Sequence, residues 1–195
     1  MRAYEKKLED ALSSDDPVEQ MHAVQRACRQ QRDDLLPVLI ALLASAEIGY
    51  FVEECLPQFG EKAIQPLKAL LGDPQSPPLA RRRAAGIIAL RGDRDAIPIL
   101  LEAVQDPEMN QAYLRRLVEL APDALTQRIM QVLQERRDEI LTTEDPHRAS
   151  YFAALLRALG DHGVQDQASD TLVRFQQHGR DWRIRQAASA ALAVA

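Results

Sequence analysis

Aromatic side chains are scarce in this 195-residue chain: they make up 5% of it, with Trp182 the single tryptophan. A core with so few large rings has to close through small residues, and alanine and leucine supply much of the 46% hydrophobic content. Lysine is nearly absent as well. Only Lys6, Lys7, Lys62 and Lys68 carry an ammonium; the other basic residues are arginines, whose planar fork suits bidentate pairing with carboxylates between repeats or on an acidic partner. No apolar run approaches the roughly 20 residues a membrane span requires. The polar stretch from Met1 to Lys7 has no signal-peptide character, so the expected location is the cytoplasm. A net charge of −5 gives no general pull toward nucleic acid or an anionic membrane. Sustained period-two alternation is missing, which excludes a sheet.

Two cysteines, Cys28 and Cys55, fall on helix faces without Cys-x-x-Cys spacing, and the expectation is two buried, reduced thiols. The histidines His22, His147, His162 and His178 form no His-x-x-x-His pair, so no metal site and no cofactor are expected. Gly160-Asp161-His162-Gly163 lacks the Gly-Lys-Ser/Thr of a phosphate loop and reads as a turn.

What the chain does contain is a repeat. Ala63-Ile64-Gln65-Pro66-Leu67-Lys68-Ala69-Leu70-Leu71-Gly72-Asp73-Pro74 is echoed by Asp95-Ala96-Ile97-Pro98-Ile99-Leu100-Leu101-Glu102-Ala103-Val104-Gln105-Asp106-Pro107, and the two Asp-Pro marks lie 33 residues apart. That period belongs to stacked helical hairpins. Leu36, Leu39, Ile40 and Leu43 give the i, i+3, i+4, i+7 stripe of a first helix, and Val52, Cys55, Leu56 and Phe59 that of its return. Pro37, Pro66 and Pro98 are each expected in the first turn of a first helix, where proline removes no helical hydrogen bond. The fold class is all-α: a single solenoid domain over 1–195 of about six hairpins, bounded at 1–32, 33–60, 61–92, 93–122, 123–161 and 162–195. The fifth hairpin is expected to have one long first helix, about Asp123 to Leu141. The chain stops on Leu192-Ala193-Val194-Ala195, an apolar end open to self-association.

These residues resemble the HEAT repeat family, and more closely the bacterial HEAT-like repeats of the phycobilisome (bilin) lyase type. The early prolines, the hairpin period and the arginine- and alanine-rich second helices ending in Gly-Asp carry the likeness. Asp181-Trp182-Arg183-Ile184-Arg185-Gln186-Ala187-Ala188-Ser189-Ala190-Ala191-Leu192 is similar to the family's second-helix signature. The resemblance implies an α-solenoid whose second helices line a concave, protein-binding surface. Some relatives are bilin lyase subunits that handle tetrapyrroles on phycobiliproteins, and other HEAT-like proteins are DNA glycosylases.

From positions off the apolar stripes, the residues expected along a partner-binding face are Tyr50, Glu53, Glu54, Arg82, Tyr113, Arg116, His147, Tyr151 and Arg183, since Tyr and Arg are enriched at interface hot spots. Trp182 is expected to plug the junction of the last two hairpins, with Arg185 pairing with a nearby acid. Arg81-Arg82-Arg83 cannot form one patch, because consecutive helical residues diverge by about 100°. Residues 62–94 nonetheless hold seven Lys or Arg against two acids, and residues 1–60 six against eleven, a charge asymmetry able to orient a partner. The reading is a non-catalytic binding module with another protein as partner. A bilin lyase or tetrapyrrole-protein chaperone subunit competes with it, and a DNA-binding repair protein is a third reading.

Overall fold

The computed structural model describes residues 8–161 and 166–194, the side chains of residues 166–168 and 194 excepted. His162 and the side chains of Val194 and Ala195 therefore lie outside the described residues. Every regular element among the described residues is helical, so the all-α class holds. The chain divides into two compact units, residues 1–99 and 100–195, with the division inside the helix Ile97–Ala103.

In the first unit a helical stretch over residues 8–12 precedes α1 (Pro17–Arg29), α2 (Leu36–Leu42), α3 (Gly49–Cys55), α4 (Glu61–Gly72), α5 (Pro78–Leu90) and the start of α6 (Ile97–Ala103). The second unit continues with α7 (Gln111–Leu120), α8 (Pro122–Glu135), α9 (Arg137–Thr142), α10 (Pro146–Gly160), α11 (Asp166–His178) and α12 (Trp182–Val194). Second helices pack against second helices: α1 on α3 and α3 on α5 in one unit, α7 on α10 and α10 on α12 in the other. First helices do likewise, α2 on α4 and α9 on α11. This serial stacking is the packing of an α-solenoid.

Asx caps start four of the second helices, α1, α7, α10 and α12. The side chains of Asp16, Asn110 and Asp145 accept from the backbone N–H two residues on, at 2.9–3.0 Å, and Asp181 does the same for Arg183 at 2.7 Å. Each such cap contributes about 1 kcal/mol. Pro37 and Pro98 occupy the second position of α2 and α6. Pro66 does not follow them: α4 begins at Glu61, which leaves the proline inside the helix. The first helix of the fifth hairpin is also not continuous. It breaks at Arg136 (φ −109°, ψ 19°) into α8 and α9, and Pro122 opens it at the first position.

The C-terminal ends of the first helices leave carbonyls that no helical N–H can reach, and donors from the following helices take them. Gln20, Arg81 and Arg185 are each the fourth residue of a second helix, α1, α5 and α12. Gln20 donates to Leu12 O at 2.7 Å, Arg81 to Leu71 O at 3.2 Å, and Arg185 to Gly179 O and Arg180 O at 2.8 and 2.7 Å. The sixth position reaches one hairpin further back. Arg83 of α5 donates to Leu43 O and Ser45 O at 2.7 and 2.5 Å, and Tyr151 of α10 donates to Val104 O at 2.5 Å. Arg81-Arg82-Arg83 is thus largely a capping device rather than a basic patch. Gly49 makes room for it, since a Cβ there would overlap the Arg83 guanidinium.

Small residues let the second helices approach, as the shortage of rings requires. Of residues 151–160 in α10 only Arg157 is exposed. A Cβ on Gly160 would lie 2.8 Å from Ala191 Cα, so α10 and α12 touch backbone to backbone there. Trp182 is not a plug: it is 56% exposed, with Arg183 5.3 Å from its ring centroid. Arg185, committed to carbonyls, makes no ion pair with an acid among the described residues.

Cys28 on α1 and Cys55 on α3 are joined in a disulfide with Cα atoms 5.9 Å apart, inside the range the bond requires. This corrects the expectation of two separate thiols. Both are buried as anticipated; the contact between successive second helices is what brings them together. With a sequence separation of 27, the loop-entropy model gives the bond about 3.5 kcal/mol. Reduction of the folded protein is expected to lower its urea-unfolding free energy by about that much, and Cys28→Ala/Cys55→Ala to match the reduced form while ignoring reductant.

On the first-helix side of residues 1–99, Lys62 pairs with Asp33 and Arg91 with Glu61. Lys68 contacts Asp93 at 2.5 Å and Asp95 at 2.7 Å. The Lys68 ammonium holds the Asp93 carboxyl below the usual carboxylate range. A depressed folded pKa contributes stability above the unfolded value of about 3.9, and that contribution is lost as pH falls through the folded value. Lys68→Ala is therefore expected to destabilise the protein at neutral pH. The difference from wild type should close in strong acid, read as converging thermal midpoints.

Candidate functional site

Helices α7 and α10 run side by side as the second helices of adjacent hairpins in residues 100–195, and their outward faces leave an open trough. Its first half, about 360 Å³, is lined by Pro107, Glu108, Met109, Gln111, Leu114, Pro146, His147, Ser150, Tyr151 and Ala154. Its second half, about 370 Å³, is lined by Gln111, Leu114, Arg115, Val118, Glu119, Ala154, Arg157, Ala158 and Asp161. Gln111, Leu114 and Ala154 belong to both, so the two are one continuous groove.

The floor follows from the packing just described. Met109, Leu114, Tyr151, Ala154 and Ala158 are each less than 9% exposed; they are core residues whose last few atoms reach the surface between two helices. The Asn110 and Asp145 caps fix where α7 and α10 begin. They thereby place Gln111 and His147, both exposed, at one end of the trough.

Polar chemistry along the rim is uneven. Glu108 and His147 mark the end at the helix starts, and Arg115, Arg157, Glu119 and Asp161 the other. Glu119 is held by Arg116 at 2.5 Å. Tyr151 lies in the floor with its hydroxyl tied to Val104 O, and burial pushes its phenol up to about 12. Behind it, Arg148 binds Glu139 at 2.5 Å, and Arg128 donates to Leu101 O and Gln105 at 3.3 and 2.9 Å.

The expected partner-binding residues distribute unevenly over this geometry. His147 and Tyr151 meet in the groove. Tyr151 and Tyr113 are buried, 5% and 3% exposed, which corrects their expected display; Tyr113 faces inward from α7 on the same side as Leu117. Arg116 borders the groove through its pair with Glu119. Tyr50, Glu53 and Glu54 lie together on α3 in the other unit. There Tyr50 is half exposed, and its hydroxyl is held above the ordinary phenol range by a hydrogen bond to Glu54. The Glu53 side chain is only 11% exposed and 3.9 Å from Arg83, so it is an internal ion-pair partner rather than a free carboxylate. Arg82 is half-buried on α5. Arg183, at the start of α12, pairs with Asp181 at 3.0 Å.

Sequence reasoning passed over Gln111, Leu114, Arg115, Ala154 and Arg157. Arg157 carried a usable signal, as the one charged residue in an otherwise apolar run from Tyr151 to Gly160. Gln111 and Arg115, four apart on one helical face beside Leu114, were a second. Among the described residues no group of three or more His, Cys, Asp or Glu is placed to hold a metal ion. No helix among them is long and apolar enough to cross a membrane.

No family model matches the chain, and no curated protein matches it. Several solved structures resemble it, two of which follow. One is a designed armadillo repeat protein, 17% identical over 97% of this chain and 98% of that one, with a TM-score of 0.43. The other is an engineered protein, 23% identical over 96% of this chain and 79% of that one, with a TM-score of 0.38.

Tyr151 offers a direct check on how the floor is held. Tyr151→Phe leaves the Val104 carbonyl without its partner, and a cost of about 1–2 kcal/mol in urea unfolding is expected. A phenol raised in the folded state contributes stability that is present below the unfolded value near 10 and lost as pH rises toward about 12. The penalty of the variant should therefore shrink in strong alkali.

Proposed function

We propose that the chain is a non-catalytic protein-interaction module and that a partner protein is held on its second helices, along the trough between α7 and α10. The observation that carries this reading is the trough itself: an open channel with an apolar floor, set between helices whose positions are fixed by capped ends and close packing. A preformed surface of this kind loses little conformational freedom when a partner docks. The sequence signature supports a HEAT-like assignment, with residues 1–195 acting as one repeat domain of six hairpins. Exposed Tyr50 and Glu54 on α3, half-buried Arg82 on α5 and Arg183 on α12 are further contact candidates on second helices. A cytoplasmic setting, expected from the sequence, would keep Cys28 and Cys55 as thiols, whereas the disulfide fits an oxidising compartment.

Gln111→Trp fills the trough from an exposed position, and Tyr50→Ala alters a surface in the other unit. In affinity capture from lysate with mass-spectrometric readout, the proteins retained by wild type and Tyr50→Ala but lost from Gln111→Trp are the groove's partners. Equal capture by all three would overturn the assignment of the groove.

A further inference from the structure

Most arginines of residues 100–195 are already engaged. Arg116, Arg148, Arg180 and Arg183 pair with carboxylates, and Arg128 and Arg185 cap carbonyls. Arg115 and Arg157 are different. Both are exposed, both line the same half of the trough, and neither makes an ion pair or side-chain hydrogen bond among the described residues. They stand on facing helices, α7 and α10. Of the two carboxylates nearby, Glu119 is neutralised by Arg116, which leaves Asp161 against two guanidinium groups and a local charge of +1. Like charges across a channel favour an anion between them, and a planar guanidinium is the side chain best shaped to grip a carboxylate.

The other half of the trough has the opposite character. Its floor of Met109, Leu114, Tyr151 and Ala154 offers apolar surface, and Glu108, the one carboxylate among its described lining residues, repels an acid placed there. Along α10 the step from Tyr151 to Arg157 is six residues, about 9 Å at ~1.5 Å per residue. An extended chain covers that in about three residues. An extended segment therefore reaches both halves of the open trough with the fewest residues.

We infer that the groove takes an extended segment of a partner protein bearing a bulky apolar side chain and, three residues away, an aspartate or glutamate: the apolar group enters at Leu114 and Tyr151, and the carboxylate is clasped by Arg115 and Arg157. This inference rests on the groove being the partner site. It adds the chemistry that selects the partner.

The test is selection of random dodecapeptides, displayed with their C-termini blocked by fusion, against the full chain. Enrichment of a large apolar residue with Asp or Glu at a three-residue spacing, in either order, is the expected result. For the best peptide, Arg115→Ala/Arg157→Ala should weaken binding at least about tenfold and flatten its salt dependence. Changing the peptide's acid to its amide should cost wild type the same factor and cost the double variant almost nothing. Both arginines are exposed and hold no partner, so the variant keeps its fold, which its melting temperature verifies. Peptides that are blocked by Gln111→Trp yet show no acidic preference, or that bind the double variant unchanged, would overturn the inference while leaving the groove as the partner site. Peptides that bind Gln111→Trp as well as wild type, or an absence of any enriched peptide, would overturn both.

Discussion

A helix that ends inside a protein leaves its last carbonyls with nothing to accept from, and a stack of short helices multiplies the problem. Here the first helices of the second and fourth hairpins are only seven residues long, so a large share of their peptide groups lie at an end. Donors that solve this recur at two places on the second helices, and Arg128 of α8 adds one from a first helix. The fourth residue serves its own hairpin and the sixth serves the hairpin before it. The second of these turns a local requirement into a link between repeats, because Arg83 and Tyr151 are satisfied only when two hairpins are stacked in register. Apolar burial supplies most of the favourable free energy of such a stack; these hydrogen bonds fix how the layers are aligned.

The same constraint shapes the candidate site. Tyr151 enters the trough as floor because its hydroxyl is already occupied beneath it. The arginines left over for recognition are those at positions that meet no helix end. Arg115 and Arg157 are exposed neighbours of the packed Leu114 and Ala158, where a long cationic side chain has solvent on one side and a neighbouring second helix on the other. The groove is thus a by-product of stacking, given its chemistry by the side chains that stacking does not use.

The helical architecture was largely legible in the sequence. The stripe Leu36, Leu39, Ile40, Leu43 is buried throughout, and the early prolines Pro37 and Pro98 stand at helix starts, because both signals depend on the period of a helix and on local sterics. What escaped depends on which helices meet. Cys28 and Cys55 have no telling spacing, since their contact is made across successive second helices. Tyr113 and Tyr151 were expected to be displayed because aromatic residues with polar tips often are. Their burial is decided by neighbours on other hairpins, and for Tyr151 by a carbonyl 47 residues away. Trp182 erred the other way: the fold closes on alanine and glycine at that junction, and the large ring has no room there. Pro66 escaped because a helix start depends on the turn before it, and Gly60, with φ +58°, starts α4 early.

The contact between Gly160 and Ala191 bears on how such arrays grow. Ala191 is the tenth residue of α12, and the tenth residue of α10 is Leu155. Were the fifth hairpin duplicated in tandem, a leucine would meet Gly160 where alanine now allows main chains to touch. Neighbouring layers would be pushed apart. The hairpins are therefore not interchangeable bricks: each is cut to fit one successor, and lengthening or shuffling the array would require both faces of every new joint to change together.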